Sequence, residues 1–389
     1  LLACYVGVAC LIAFSCRAGA RLAMDHGPAH DRAALPQIWA AGDGIWYGRI
    51  AADGYCYDVD RASSIAFFPA YPLLSRCLSN ATGLSVGTAL LVVSNGCHLI
   101  ATALFAVYLQ RRALPVPEAA PVYALAAFTL LPTTFFFRMA YSESLFLAIG
   151  IGFMLLMRRN ASPLVVALTA GAATAARPIG VALLPLAAHY VFFGPRRPLP
   201  YCFGRSVLLA VSAWGILAFA VYQWIQFGEP FAFVATQRHF HLRPPMSLPD
   251  RLLQLASLDT VWSVYRSSSA AYWGRFSSEA FPVLSLQCAN PVYWLGAAVL
   301  LFVGIWTRWL NWQEAFLATA LLLIPYVTRG CEMCMASQGR FAAVAFPVYI
   351  VAGEILARVP PVVAVLVLAV LAALLCIYSA QFAAGGVLI

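Results

Sequence analysis

Lysine is missing altogether, and charge of either sign is scarce. All 24 basic residues are Arg, 15 residues are acidic, and charged residues make up 10% of the 389 against 62% hydrophobic. With a mean hydropathy of +0.82, so little charge excludes an ordinary soluble domain. No GxGxxG or P-loop occurs, which argues against a nucleotide-binding domain and a sugar-nucleotide donor read from the cytosol. Ionisable residues are nearly absent from the middle of the apolar runs, and neither half of the chain repeats the other. Both absences disfavour an ion or proton pathway through a bilayer. The first apolar run is not followed by a cleavage site with a soluble domain behind it, so no cleavable signal is expected.

What the chain has instead is apolar length. Runs at 1–18, 84–110, 119–137, 141–157, 163–176, 179–193, 206–227, 291–307, 315–327, 341–356 and 361–380 approach or exceed the roughly 20 residues that carry a helix across a bilayer. In lipid every backbone group must bond internally, so these runs read as helices. The expected fold is all-α: a polytopic membrane protein of about 11 spans in a single transmembrane domain over residues 1–389. Most cysteines that fall in the spans, such as Cys4, Cys10, Cys97 and Cys376, act as small apolar residues there.

Arginines set an orientation. Arg111 and Arg112, Arg158 and Arg159, then Arg196, Arg197 and Arg205, with Arg308 and Arg358, recur after every second span, the mark of cytoplasmic loops. This places the N-terminus inside and the C-terminus outside. The formal net charge of +9 then reflects topology and implies no nucleic acid partner. The longer polar segments fall outside: 21–83, 228–290 and 328–340. Twelve acids share that face: Asp25, Asp31, Asp43, Asp53, Asp58, Asp60, Glu143, Glu229, Asp250, Asp259, Glu279 and Glu332. The first outer loop is rich in aromatics, from Trp39 to Tyr71. They fit an interfacial belt or stacking on sugar or isoprenoid, and composition does not separate the two.

Within that loop, AAGDGIWYGRIAADGY at 40–55 concentrates the polar chemistry. Asp43 suits a helix N-cap and Gly54 a left-handed C′ position, predicting a short helix over Ile45–Asp53. Trp46 and Ile50 would pin it flat on the membrane. Asp43 either caps this helix or acts as a carboxylate that takes a proton from an attacking hydroxyl, with Gly44 allowing close approach of a ligand. Pro69 and Pro72 then force a turn, and Phe67, Phe68, Tyr71, Leu73 and Leu74 can dip into the bilayer.

Five blocks carry a resemblance: GDGIWYGRIAADGY…IAFFPAYPLL from residue 42, YSESLF at 141–146, AARPIG at 175–180, FGEPFAF at 227–233 and QGRFAAVAFPVY at 338–349. In order and spacing they resemble the PIG-V-like family, the GPI mannosyltransferase II group, in its bacterial form. The resemblance implies the GT-C class of multi-span glycosyltransferases, a polyprenyl-phosphate-sugar donor, an active site on the outer face and an acidic residue in the first outer loop. The family carries Trp before that acid where this chain has Gly42.

Other residues are candidates beside Asp43. Tyr47 and Arg49 share its helix. Glu143, behind Tyr141 at the start of a span, either gains from the helix dipole or touches sugar or a basic neighbour. Arg177, before a span-breaking Pro178, and Arg340, beside Gly339, can clamp a phosphate with their planar donors or snorkel to headgroups. Cys331 and Cys334 point to a local disulfide or simple packing, and His239 and His241 lack a third ligand. No metal site or cofactor is expected, and any divalent-metal requirement stays open.

The reading that follows is an inverting membrane glycosyltransferase, moving a hexose such as mannose to an acceptor hydroxyl on a glycolipid, polymer or protein. Asp43 serves as base, Arg177 and Arg340 hold the leaving phosphate, and Tyr141 with Glu143 positions the sugar. The alternatives are a transporter or lipid flippase, or a non-catalytic subunit that binds a sugar lipid.

Overall fold

The computed structural model describes residues 2–26, 39, 41–112, 117–194, 202–244, 246–276 and 281–384. Among the described residues the regular structure is entirely helical, with no strand. In chain order the helices are α1 (Leu2–His26), α2 (Asp43–Asp53), α3 (Ala70–Thr82), α4 (Val86–Gln110), α5 (Ala120–Leu130), α6 (Glu143–Arg158), α7 (Pro163–Ala176) and α8 (Leu184–Phe193). They continue as α9 (Cys202–Ser212), α10 (Trp214–Phe227), α11 (Leu248–Ala256), α12 (Leu286–Trp306), α13 (Trp312–Arg329), α14 (Gln338–Ala343), α15 (Pro347–Leu356) and α16 (Pro361–Ala383). Four-residue helical turns and 3-10 segments fill the connections.

Among the described residues three helices, α4, α12 and α16, are long and apolar enough to cross a membrane, and α9 with α10 makes a fourth candidate bent by 69°. The apolar runs predict more spans than this, and the reason for the difference lies in their punctuation. Pro132 turns the second half of the 119–137 run into a 3-10 segment, leaving α5 with 11 residues. Pro178 does the same after α7, and the 341–356 run breaks before Pro347. At 1.5 Å per residue the 16 residues of α6 reach only about 24 Å.

The helices start where the sequence provides caps. Ser85, Ser162 and Ser285 accept from the backbone N–H three residues on. Asn311 and Glu314 form a reciprocal capping box at α13, with both hydrogen bonds at 2.9 Å, satisfying two donors that a helix start otherwise leaves open.

The chain forms two compact units, each assembled from separated segments. The first comprises 1–38, 113–136 and 240–389; the second comprises 39–112 and 137–239. In the first unit α1 packs on α16, α5 on α15, and α12 on α13, α14 and α15. Trp294 of α12 stacks on Tyr326 of α13 with ring centroids 4.4 Å apart. In the second unit α4 is flanked by α2, α3 and α6, while α7 carries α6, α9 and α10. Helices α7 and α10 meet closely at Gly171, where any Cβ would run into the Trp214 ring.

Candidate active site

The opening of α2 is a tight turn. Gly42 adopts φ 61°, ψ −127°, a conformation open to Gly alone. Gly44 N–H donates to Ala41 O at 3.2 Å and Ile45 N–H to Gly42 O at 3.1 Å. The helix therefore begins two residues earlier than its sequence predicts, and its N-cap moves from Asp43 to Gly42. Gly42 is the N-cap and Asp43 the first helical residue, in the turn where the helix dipole favours an acid. At the other end Gly54, at φ 92°, closes the helix by donating to Ile50 O at 3.0 Å.

Helix α2 buries Tyr47, Ile50 and Ala51 against α3 and α4. Ile50 is 1% exposed, so it is a core residue and not a membrane pin. Trp46 stacks on Phe67 at 5.8 Å, and the exposed Arg49 lies over the Trp46 ring at 5.5 Å. Ile50 therefore packs inside the protein where its sequence predicts a lipid contact, while Trp46 stays half-exposed.

Tyr141 ties Asp43 down. Its hydroxyl accepts from Asp43 N–H at 3.2 Å and donates to Ala41 O at 3.2 Å, gripping both sides of the Gly42 turn. Trp39 O accepts from Ala140 N–H at 3.1 Å, a second tie between the two segments. Ser94 of α4 donates to Tyr141 O at 3.0 Å and lies 2.7 Å from Tyr71 Oη. Asp43 is half-buried as a residue while Tyr141 is buried.

A second chain of contacts runs beside it. Tyr47 Oη and Ser142 Oγ are 2.7 Å apart, and Arg177 Nη1 donates to Ser142 Oγ at 3.2 Å. The same Nη1 lies 2.5 Å from Oε1 of the fully buried Glu143. Arg177 is delivered by a helix end: α7 stops at Ala176, Arg177 is extended, and Pro178 opens a 3-10 segment, as the Arg-Pro pair predicts. Burial pushes the Tyr47 phenol well above its ordinary range. The Arg177 guanidinium opposes that shift, and the Glu143 and Asp43 carboxylates add to it. Carboxylate, guanidinium and phenol thus act on one another, and Tyr47 stays a protonated hydroxyl.

The remaining candidates divide clearly. Tyr47 and Tyr141 are engaged by other residues of the protein and Glu143 pairs with Arg177. Several loop aromatics pack at tilted or edge-on angles against α10 and the segment after it: Tyr55 and Phe68 on Phe219, Phe68 on Phe233 and Tyr57 on Phe227. Phe68 and Tyr71 are core residues, whereas Leu73 and Leu74 are exposed. Arg340 belongs to the first unit, its guanidinium over the rings of Phe136 at 5.4 Å and Phe341 at 5.0 Å. Cys331 and Cys334 are buried free thiols, so packing prevails over a disulfide. His239 contacts Val59 O at 2.9 Å. Among the described residues no three His, Cys, Asp or Glu side chains could together hold a metal ion.

Sequence reasoning missed Ser142, the hub between Tyr47 and Arg177, although it stands between two candidates in YSES. It also missed Ser94, whose place inside an apolar run signals nothing by itself. Compared with protein-family models, with curated proteins and with solved structures, the chain finds no match.

Proposed function

We propose that the chain is a multi-span membrane glycosyltransferase of GT-C type, acting on a polyprenyl-phosphate hexose at the outer face of the membrane. The observation that carries this reading is convergence. Four blocks that resemble the PIG-V-like pattern, distant in sequence, meet within one unit. Asp43 is tied to Tyr141, Tyr47 reaches Ser142, Ser142 and Glu143 hold Arg177, and the aromatics at 227–233 pack on the first loop.

In the proposed reaction the acceptor hydroxyl attacks the anomeric carbon, and its proton passes to the Asp43 carboxylate. The bond from that carbon to the phosphate oxygen breaks, the lipid phosphate departs with the electron pair, and the anomeric centre inverts. Arg177, fixed by Glu143 and Ser142, supplies positive charge toward the leaving group, where it is most effective if preorganised. Arg340, in the other unit, is given no step.

The test is turnover of radiolabelled polyprenyl-phosphate-mannose by detergent-purified protein. Asp43→Asn should lose about 10²–10⁴-fold in rate, the usual worth of a positioned acid–base group. Full activity in Asp43→Asn would reduce Asp43 to a structural residue. No turnover with any polyprenyl-phosphate hexose would favour a sugar-lipid-binding or transport role.

A further inference from the structure

Helix α11 is built inside out. Its sequence, LPDRLLQLA, puts Leu248, Pro249, Leu252, Leu253 and Ala256 on one arc and Arg251 with Gln254 on the other, given 3.6 residues per turn. In a helix on a water-facing surface the apolar arc packs inward. Here the polar arc docks. Arg251 Nη1 meets the buried carboxylate of Glu332 at 3.2 Å and its Nη2 donates to Val327 O at 2.6 Å. Leu255, beside Arg251 on the wheel, is buried, and its carbonyl accepts from Tyr326 Oη at 2.9 Å. Leu248, Leu252 and Leu253 are 67%, 55% and 69% exposed.

The orientation is held from several sides. Ser247 Oγ accepts from Asp250 N–H at 3.3 Å at the start of the helix. The segment leading in is fixed to the same acid's backbone, since Leu242 and Arg243 N–H both donate to Glu332 O, at 3.0 and 3.1 Å. Rolling the leucines inward would break the Arg251–Glu332 pair and strand a buried carboxylate, which is strongly unfavourable.

Other helices of the same unit also carry exposed apolar residues. Helix α11 meets α13 at Val327, which with Phe316 and Leu323 forms an exposed apolar stripe at i, i+7 and i+11. Helix α13 packs on α12, whose own exposed stripe contains Val292, Val299, Phe302 and Trp306 and which is long and apolar enough to cross a membrane.

We infer that α11 is an interfacial anchor whose Leu248, Leu252 and Leu253 enter the hydrocarbon boundary of a lipid bilayer while Arg251 and Glu332 hold it to the protein. The arc carries no polar or charged side chain that would specify a protein partner, and the same compact unit contains α12 and α16, both long and apolar enough to span. Such helices sit roughly 5–10 Å into the headgroup–acyl boundary. The interfacial part predicted for the 45–53 helix thus falls to α11. The inference rests on the membrane reading and is independent of glycosyl transfer.

The test uses the full chain in vesicles of phosphatidylcholine and phosphatidylglycerol, with p-benzoylphenylalanine placed in turn at Leu253, at Phe302 on α12 and at Asp250 on the exposed polar edge of α11. Lipid adducts are read by mass spectrometry after illumination. Leu253 should yield adducts like Phe302 and about fivefold or more above Asp250, as immersion of one face requires. Adducts at Phe302 with Leu253 no higher than Asp250, or crosslinking of Leu253 to a second copy of the chain, would overturn the anchor and leave the membrane reading intact. Adducts at neither Leu253 nor Phe302 would overturn both.

Discussion

The hydroxyl of Tyr141 occupies the space into which any side chain at residue 42 would project. Gly42 is thus required twice over, by its positive φ and by this hydroxyl. The volume beside the acid comes from a tyrosine about a hundred residues further along.

A double-mutant cycle reads this relationship. Gly42→Ala should destabilise by about 1–3 kcal/mol, the range for backbone strain at a Gly-only conformation. Part of the cost is overlap with the Tyr141 hydroxyl, so it should shrink in a Tyr141→Phe background by about 0.5 kcal/mol or more, the size expected of residues in contact. Thermal unfolding in detergent measures all four corners. Strictly additive losses would mean that the hydroxyl moves aside freely.

Tyr141→Phe alone should act on catalysis through Asp43. Losing the grip on Ala41 O and Asp43 N should lower kcat by about 10–100-fold, because small misplacement of a reacting group is costly. KM for the donor should stay nearly constant. A raised KM at unchanged kcat would reassign Tyr141 to substrate contact.

The Arg177–Glu143 pair makes a stability prediction. Glu143 is fully buried and Arg177 nearly so, so removing one partner leaves an uncompensated charge, at about 3–5 kcal/mol. Glu143→Leu and Arg177→Met should each lower Tm markedly. The double variant should melt higher than either single. A double variant that melts lowest of all would show that each side chain stabilises by packing alone.

The buried thiols predict a pH response. Desolvation pushes Cys334 from 9.0 up to about 11, with Arg243 opposing, and Cys331 is likewise raised. At pH 8 iodoacetamide, which needs thiolate, should modify the exposed Cys77 well before either. Between pH 9 and 11 an unfolded chain releases a proton that folded Cys334 keeps, so its contribution is whole below pH 9 and fades as pH rises through about 11. Early labelling of Cys334 in native protein, followed by peptide mass spectrometry, would contradict its burial.

Local signals were the legible ones. Pro178 marks the helix break that presents Arg177, and Gly54 marks the end of α2, because both residues act through their own backbone. What stayed hidden depends on distant partners. Whether Ile50 faces lipid or the protein turns on where α3 and α4, later in the chain, pack, and that Tyr47 meets Ser142 needs two segments 95 residues apart. Hydropathy finds apolar runs but not the 3-10 segments that cut them. This is why 119–137 reads as one span and folds as a short helix with a turn. The inverted polarity of α11 is equally silent, since an amphipathic helix has the same sequence whichever face it turns inward.

The packing of α1 on α16 sets a clock on synthesis. Cys16 Sγ donates to Ser379 O, a contact 363 residues apart in sequence. At about 5–20 residues per second, α1 emerges roughly 20–70 s before the helix that covers it. Throughout that interval the face it will turn to α16 lacks that partner, and whatever shelters it in the meantime must let go when α16 arrives.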